Sequence, residues 1–488
     1  MKKFMLLILS ITLSLSLAAC QNETSGQETE KNETGAETQI STSAPQKENI
    51  TINETYKSAE DGAHAIEADG ETVSYSNIKV EKTGDSSGDE ADFYGENATV
   101  FATNGATLTL TSIFVESDGT HANGVFSYGE GTTVNISDSV IETASNCSGG
   151  LMTTGGGTMN ASNLNIHTTG NSSAAIRSDR GGGTVNVQGG YYLTDGKGSP
   201  VIYSTADITV SDAYLESTSA QGVVVEGQNS VTLNDVELVA SNVSKNSDKS
   251  DWYQAVMIYQ SMSGDADEGL AAFAMTDGSL LNKNGDVFFV NNTVATISLN
   301  NVSITNEDTE GVLLRATAAG WGSEGSNGGH VTMNLAGQKA EGDIVVDEVS
   351  TLNLYLREGS SYAGAINENG EAGEVYVEIE EGSKWTLTAD SYISSLTCNA
   401  DSIDLNGHKL YVGGTEYTEG SIMTGEVIVV ATGNSSGHGD RPEMPGGEMP
   451  ADSQPGEGDR PEMPGGEMPS GPKPGDGEQP PAKPDGEK

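Results

Sequence analysis

The stretch TVNISDSVI, residues 133–141, contains the pattern that decides the fold of this chain. Apolar and polar residues alternate, an Asp interrupts the alternation, and another apolar residue follows. Alternation with a period of two predicts a β-strand, because successive side chains of a strand point to opposite faces. The pattern recurs in TVSYSNIKV (72–80), TMNASNLNI (158–166), TVNVQGGYY (184–192), ITVSDAYL (208–215), VTLNDVEL (231–238) and ISLNNVSI (297–304).

The residues that interrupt the alternation are of types that tolerate a left-handed backbone turn. They are Asn77, Asp138, Asn163, Gly189, Asp212, Asp235, Asp277 and Asn301. The last apolar residue before each turn marks a repeat of about 24 residues, which is typical of a solenoid. The markers are Tyr75, Leu110, Ile136, Ala161, Val187, Val210, Leu233, Met275, Leu299, Leu335, Leu356, Ile379 and Leu405.

A second short strand precedes each marker strand, as in GVFSY (124–128), PVIYS (200–204) and DIVVD (343–347). Strands that pair with their own copy one repeat away form a parallel β-helix, in which interior positions stack as apolar columns. The sequence therefore predicts an all-β fold: a single parallel β-helix over residues 56–432, a solenoid of about 13 rungs.

The two ends of the chain differ from this body. Lys2 and Lys3 precede an apolar run that is typical of a secretory signal over residues 1–19. The run ends in Leu-Ala-Ala-Cys, which resembles the lipobox of bacterial lipoproteins and implies lipidation of Cys20. Residues 20–55 are polar and predict a disordered tether, and the Pro-, Gly-, Met- and acid-rich residues 433–488 predict a disordered tail. We therefore expect a lipid-anchored protein on the extracellular face of a bacterial cell membrane.

The charge of the chain restricts its partners. There are 71 acidic and 23 basic residues, which gives a formal net charge of −48. A surface this negative repels phosphate backbones and argues against nucleic acid. Many carboxylates lack a cationic neighbour, which favours Ca²⁺ as a cofactor. Cys147 and Cys398 are predicted to be about nine rungs apart and therefore not to form a disulfide.

Several longer segments resemble motifs of adhesin-like β-helix proteins of anaerobic bacteria. They are FYGENA (93–98), ANGVFSYGEG (122–131), SAAIRSDRGGGTVNV (173–187), SPVIYSTADITV (199–210) and VEGQNS (225–230). The body as a whole resembles right-handed, pectate-lyase-like β-helix proteins, and this resemblance implies a right-handed helix. That superfamily mixes polysaccharide lyases, hydrolases, carbohydrate binders and adhesins, so the resemblance does not select one reaction. The layout also resembles calcium-bearing, carbohydrate-binding β-helices of plant-fibre-degrading bacteria.

The turn between the two strands of each rung is predicted to form one edge of the solenoid. Two of the three large insertions fall there, and repeat proteins place functional insertions on one face. Candidate residues at this edge are Glu130, Asp179, Arg180, Asp207, Glu226, the 260–269 loop and the 316–330 loop with Trp321.

Three kinds of chemistry fit this edge. Asp179 and Glu226, two rungs apart, are candidates for the carboxylate pair of an inverting glycosidase, with Asp207 between them. Alternatively, Arg177 or Arg180 acts as the base of a Ca²⁺-assisted polysaccharide lyase with Asp179 and Asp207 on the metal, as the resemblance implies. In the third interpretation these residues are structural or bind a ligand without turnover.

Two acidic loops are candidate calcium sites. One contains Asp265, Asp267 and Glu268, and the other contains Asp85, Asp89, Glu90 and Asp92. Neither has the pattern of an EF-hand. Six scattered His residues and the absence of paired Cys argue against zinc. Candidates for stacking on sugar rings are Tyr128, Tyr203, Tyr259, Trp252 and Trp321.

Two classes of function follow from these patterns. The first is a cell-surface lipoprotein that binds a polysaccharide or other glycan, or acts as an adhesin towards a host or cell-surface protein. The second is a polysaccharide hydrolase or lyase that works at the same edge.

Overall fold

The protein is a parallel β-helix, as predicted. The computed structural model describes residues 44–245 and 247–430, which form a single compact unit. Cys20, the signal segment, most of the predicted tether and the predicted tail lie outside the described residues. The first strand, Glu54–Ser58, begins two residues before the predicted boundary. The handedness implied by the resemblance stays a prediction.

Three faces are built from four sheets, called here A to D. Sheet A contains two of the faces, and its twenty strands are Glu54–Ser58, Thr72–Ser76, Ile78–Lys82, Thr107–Thr111, Phe114–Ser117, Thr133–Thr143, Gly157–Thr168, Gly183–Thr194, Asp207–Ser211, Tyr214–Ser217, Ser230–Asn234, Glu237–Ala240, Leu270–Thr276, Ser279–Asn282, Thr293–Asn300, Ser303–Asn306, Gly329–Ala336, Thr351–Arg357, Glu374–Ile379 and Ser395–Thr397. Sheet B is the third face, and its eleven strands are Ile66–Asp69, Val100–Thr103, Val125–Tyr128, Leu151–Thr154, Ile176–Ser178, Ile202–Ser204, Val223–Glu226, Gln254–Tyr259, Asp286–Asn291, Leu314–Ala316 and Ile344–Val346.

The remaining elements are short. Sheet C consists of Lys339–Glu341, Ser361–Ala363, Lys384–Thr386 and Ile403–Asp404, and sheet D of Ser391–Ile393, Leu410–Val412 and Thr415–Glu416. The last two strands of sheet D form an antiparallel hairpin, whereas the other strand pairs in the described residues are parallel. Within residues 44–245 and 247–430 the helices are a 3₁₀ turn at Lys47–Asn49 and an α-helix at Asp89–Phe93. No helix among the described residues is long and apolar enough to cross a membrane.

The predicted register of sheet A is confirmed for the first twelve markers. Tyr75 pairs with Leu110, and the column continues in register through Ile136 and Ala161 to Ile379. The prediction for the thirteenth marker is wrong. The thirteenth strand of this column is Ser395–Thr397, and Leu405 follows a strand of sheet C instead.

The predicted left-handed turns are confirmed at all eight positions. Asp138 has φ of 50° and Asn163 has φ of 50°, and the other six residues also have positive φ. This conformation bends the chain between the two faces of sheet A. The short side chains also bond along the column, because the Asn163 amide donates to the Asp138 carboxylate at 2.7 Å. The polar turn residues therefore stabilise the bend instead of leaving it unsatisfied.

Apolar side chains from all three faces fill the interior. Leu108, Val134 and Met159 are fully buried and stack at successive rungs. Burial of each such side chain contributes about 1.5–3 kcal/mol. Cys147 and Cys398 are both free thiols, which confirms the prediction that they do not pair.

Candidate functional site

The outer face of sheet B carries the residues that most resemble a binding site. Its side chains alternate with core residues such as Ile176. One column runs in register along this face: Phe101, Phe126, Met152, Arg177, Tyr203, Val224, Met257, Phe289 and Arg315. Outward side chains of a solenoid are ordinarily exposed. Phe126, Met152 and Phe289 are instead fully buried, because insertions fold over them.

The first insertion covers the beginning of this column. It lies between the strands Ile78–Lys82 and Val100–Thr103 and contains the helix Asp89–Phe93, whose acidic first turn is favourable at a helix N-terminus. Phe101, Phe126 and Met152 form an apolar cluster with Ala98, and Tyr128 packs against it. Tyr94 of the insertion makes an edge contact with Tyr128 at 5.8 Å. Tyr128, predicted to bind a ligand, therefore packs beneath the first insertion.

The insertion with Trp321 covers the far end of the column. Trp321 is 9% exposed and forms an apolar cluster with Val224, Met257 and Phe289. Tyr259 meets the Trp321 ring edge-on at 5.2 Å. The amide of Asn327 donates to the backbone carbonyl oxygens of Ala319 and Trp321, and these bonds close the loop that carries the ring.

Glu226 ends the strand that carries Val224 of the Trp321 cluster. Its carboxylate accepts hydrogen bonds from the hydroxyls of Tyr203 and Tyr259, the latter at 2.9 Å. Burial, with the added effect of this carboxylate, raises the pKa of both tyrosines well above 10. Both hydroxyls therefore remain protonated donors. The second carboxylate oxygen, Oε1, is buried and has no hydrogen-bond partner among the described residues.

Arg177 and Asp179 form an ion pair within one rung, the rung next to that of Tyr203. The Arg177 guanidinium donates to the Asp179 carboxylate at 2.8 Å, and both side chains are largely buried. Burial raises the pKa of Asp179, and the charge of Arg177 opposes this rise without cancelling it. Burial alone would lower the pKa of Arg177, but the attraction of Asp179 outweighs it, so the guanidinium stays charged.

Arg180 connects two insertions that are far apart in the sequence. Its guanidinium donates to Asp265 at 2.6 Å and to Asp89 at 2.9 Å. It also stacks over the ring of Phe93, 3.7 Å from the centroid. Two carboxylates predicted to bind calcium in different loops thus flank one guanidinium. This geometry links the first insertion to the 260–269 loop.

Other candidate residues lie apart from Glu226 and the Arg177–Asp179 pair. Asp207 is exposed on the outer face of sheet A, where it accepts a hydrogen bond from Ser230 at 2.7 Å. Glu130 is exposed at a turn. Asp85 accepts a hydrogen bond from the backbone N–H of Thr120, and this bond lowers its pKa. The side chains of Asp267 and Glu268 are exposed. The candidates that come together are Arg177, Asp179, Tyr203, Glu226, Tyr259, Trp252 and Trp321.

A pocket of about 200 Å³ opens beside this group. Its aromatic walls are Tyr203, Tyr259, Trp252 and Trp321, as predicted for a sugar-binding surface. Its polar lining includes Gln221, Asn242 and Gln254, which the sequence analysis missed. The side-chain oxygens of Asn242 and Gln254 are buried and have no hydrogen-bond partner among the described residues. Asn242 lies in an insertion that no repeat pattern covers, and Gln254 is the first residue of the strand that follows this insertion.

A wider groove of about 510 Å³ lies over sheet A. No aromatic side chain lines it. Its central residues form an amide ladder in which Asn186 donates to Asn160 and Asn160 donates to Asn135, both at 3.0 Å. Because these amides already bond one another, the aromatic pocket on sheet B is the stronger candidate site. No family model, curated protein or solved structure matches this chain.

Proposed function

We propose that this chain is a carbohydrate-binding protein of the bacterial cell surface, and that its glycan enters the aromatic pocket on sheet B. The observation that carries the proposal is the convergence of four aromatic rings with unsatisfied side-chain oxygens in one pocket. Aromatic faces cover the apolar side of a pyranose, and carboxylates and amides bind its hydroxyls. The predicted lipid anchor at Cys20 supports a position on the outer surface.

Glu226 supplies the most specific polar contact in this proposal. Two tyrosine hydroxyls hold the side chain in place, so its orientation is fixed before a ligand arrives. Its unpartnered oxygen Oε1 is a hydrogen-bond acceptor beside the aromatic pocket. A sugar hydroxyl or a bridging water would satisfy it after a small adjustment of the pocket wall.

Retention of the purified full-length chain on a panel of immobilised plant and host glycans, with and without Ca²⁺, tests the proposal. We expect Trp252→Ala and Gln221→Ala to abolish or strongly weaken retention of the glycan that the native chain binds. Tyr191→Ala is the matched control, because Tyr191 stacks on Tyr214 at 4.8 Å on sheet A. Retention of no glycan would overturn the proposal, and equal loss in the control variant would overturn the location of the site.

Polysaccharide hydrolysis at the same place is a second candidate function. Asp179 is buried with a raised pKa, which is the property of a general acid. Glu226 lies two rungs away, since Arg177 pairs with Tyr203 and Tyr203 with Val224. New reducing ends in the glycan assay, lost in Asp179→Asn and in Glu226→Gln, would favour hydrolysis over binding alone. An unsaturated, ultraviolet-absorbing product would indicate a lyase.

A further inference from the structure

A mixed group of nitrogen, sulfur and oxygen donors lies beside the first insertion. Asp92 comes from the helix Asp89–Phe93, and His121 and Cys147 come from turns on successive rungs. One donor atom from each of the three side chains lies within 4.8 Å of the other two. No other group of three or more such donors occurs among the described residues.

The solenoid itself brings His121 and Cys147 together. The backbone N–H of His121 bonds to Asn146 at 3.0 Å, and that of Cys147 bonds to Asn171 at 2.8 Å. Both residues have left-handed backbones, with φ of 57° and 55°. They therefore occupy equivalent turn positions one rung apart, and their side chains leave the turn in similar directions. The next two turns place Ser172 and Gly198 in this conformation, so the group is confined to two rungs.

The immediate surroundings of His121 are unusual for an ordinary ion pair. The His121 side chain is 12% exposed, and its Nδ1 lies 2.6 Å from a carboxylate oxygen of Asp92. The two atoms are not aligned for a hydrogen bond, and Nδ1 is buried with no hydrogen-bond partner among the described residues. A buried ring nitrogen that lies close to a carboxylate oxygen and to a thiol has the donor arrangement of a metal site.

We propose that Asp92, His121 and Cys147 bind a Zn²⁺-type transition-metal ion. Imidazole and thiolate are ligands of zinc and related metals, whereas Ca²⁺ takes oxygen ligands. With bonds of about 2.0–2.3 Å, tetrahedral ligand atoms lie about 3.3–3.8 Å apart. The His121–Asp92 separation of 2.6 Å is shorter than this range and the three donors lie within 4.8 Å of one another, so the side chains would change rotamer on binding. Three protein ligands leave a fourth position for water.

The bound ion would fix the first insertion to the stack. Asp92 belongs to the first insertion, whose Ala98 packs with Phe126 and Met152, whereas His121 and Cys147 belong to rungs of the stack. Metal binding would therefore stabilise the closed position of that insertion, in addition to the contacts of Arg180. This inference does not depend on the proposed glycan site.

Titration of the full chain with Co²⁺ under reducing conditions tests the proposal. We expect one Co²⁺ per chain, a thiolate-to-cobalt charge-transfer band in the near ultraviolet, and displacement by Zn²⁺ but not by Ca²⁺. Cys147→Ser should abolish the band. His121→Asn, which keeps a residue type that tolerates the left-handed turn, and Asp92→Asn should each weaken binding. Loss of an outer-shell partner costs about 10–100-fold in affinity, so loss of a direct ligand should cost at least that much.

Cys398→Ser is the matched control for the thiol, and Asp207→Asn, exposed on sheet A, is the control for the carboxylate. These variants should keep the native band and affinity. Circular dichroism of each variant checks that the β-helix is retained. The absence of stoichiometric Co²⁺ and Zn²⁺ binding would overturn the proposal. A charge-transfer band that survives Cys147→Ser, or displacement of Co²⁺ by Ca²⁺, would also overturn it.

Discussion

The guanidinium of Arg180 lies 3.7 Å from the centre of the Phe93 ring, in a stack that joins two distant parts of the chain. Phe93 belongs to the first insertion, and Arg180 also binds Asp265 of the 260–269 loop. One side chain thus connects two insertions across the outer face of sheet B. The aromatic pocket and the buried residues Arg177, Asp179 and Glu226 lie on this same face. The arrangement of the insertions therefore determines the shape of the site.

Replacement of Arg180 by Ala should loosen both insertions while leaving the stack intact. The side chain is about one third exposed, so solvent screening limits its contribution to global stability. We expect faster hydrogen exchange in residues 85–95 and 260–269, with a nearly unchanged unfolding midpoint. Arg357→Ala is the matched control, because Arg357 stacks on Tyr355 of its own strand at 4.7 Å. Unchanged exchange in both loops would contradict the role of Arg180.

Replacement of Arg177 by Met should destabilise the protein strongly. It leaves the buried carboxylate of Asp179 without its partner, and breaking a buried pair in this way costs about 3–5 kcal/mol. The double variant Arg177→Met/Asp179→Leu should recover much of this loss, since it removes both charges. Urea unfolding of the two variants measures the difference. A double variant that is no more stable than the single one would show that the pair matters for packing and not for charge.

The left-handed turns predict a residue-specific effect on stability. Asp235 has φ of 51°, a conformation that costs an ordinary L-residue about 1–2 kcal/mol. Asp235→Ala should therefore lower the free energy of unfolding by about that amount, whereas Asp235→Asn should be nearly neutral. Asp207→Ala, at an exposed strand position, serves as the reference and should change stability by less than about 0.5 kcal/mol. Equal effects of Ala at both positions would argue against a role for the turn.

His64 should make the protein less stable as the pH falls. Burial lowers the pKa of its ring below the ordinary 6.5, and Nδ1 contacts the backbone oxygen of Ala98 at 2.8 Å. Because the unfolded chain binds a proton more readily, stability contributed by neutral His64 is present above the unfolded pKa and declines as the pH falls below it. Titration of the His64 ring by NMR should give a pKa below 6.5. In His64→Phe, which keeps a ring against Phe101, the pH dependence of unfolding should be weaker; an unchanged dependence would contradict this assignment.

The sequence predicts the stack well because the stack is periodic. Twelve markers and all eight left-handed turns lie where the repeat places them. The prediction fails at Leu405, where sheet C takes over and the last strand of the column is Ser395–Thr397. Near that end the repeats are less regular, so an apolar residue at the expected spacing no longer identifies a rung.

The candidate site is less predictable because it is built from insertions. The repeat places Asp179 and Glu226 two rungs apart on the outer face of sheet B. It does not indicate that Arg180 binds Asp89 and Asp265, or that Trp321 packs on Tyr259. The spacing of His121 and Cys147, one repeat apart, does carry a signal for their proximity. Asp92 carries none, since an insertion brings it to them.

The antiparallel hairpin of sheet D has a consequence for self-association. A parallel stack grows by accepting another parallel strand at its open edge, and such edges can template the addition of another molecule. Thr415–Glu416 folds back on Leu410–Val412, and Met423 forms an antiparallel bridge with Cys398 at the end of sheet A. Both reversals place strand polarity at this edge opposite to that of a further rung. The C-terminal end of the solenoid therefore acts as a stop that disfavours end-to-end fibre growth.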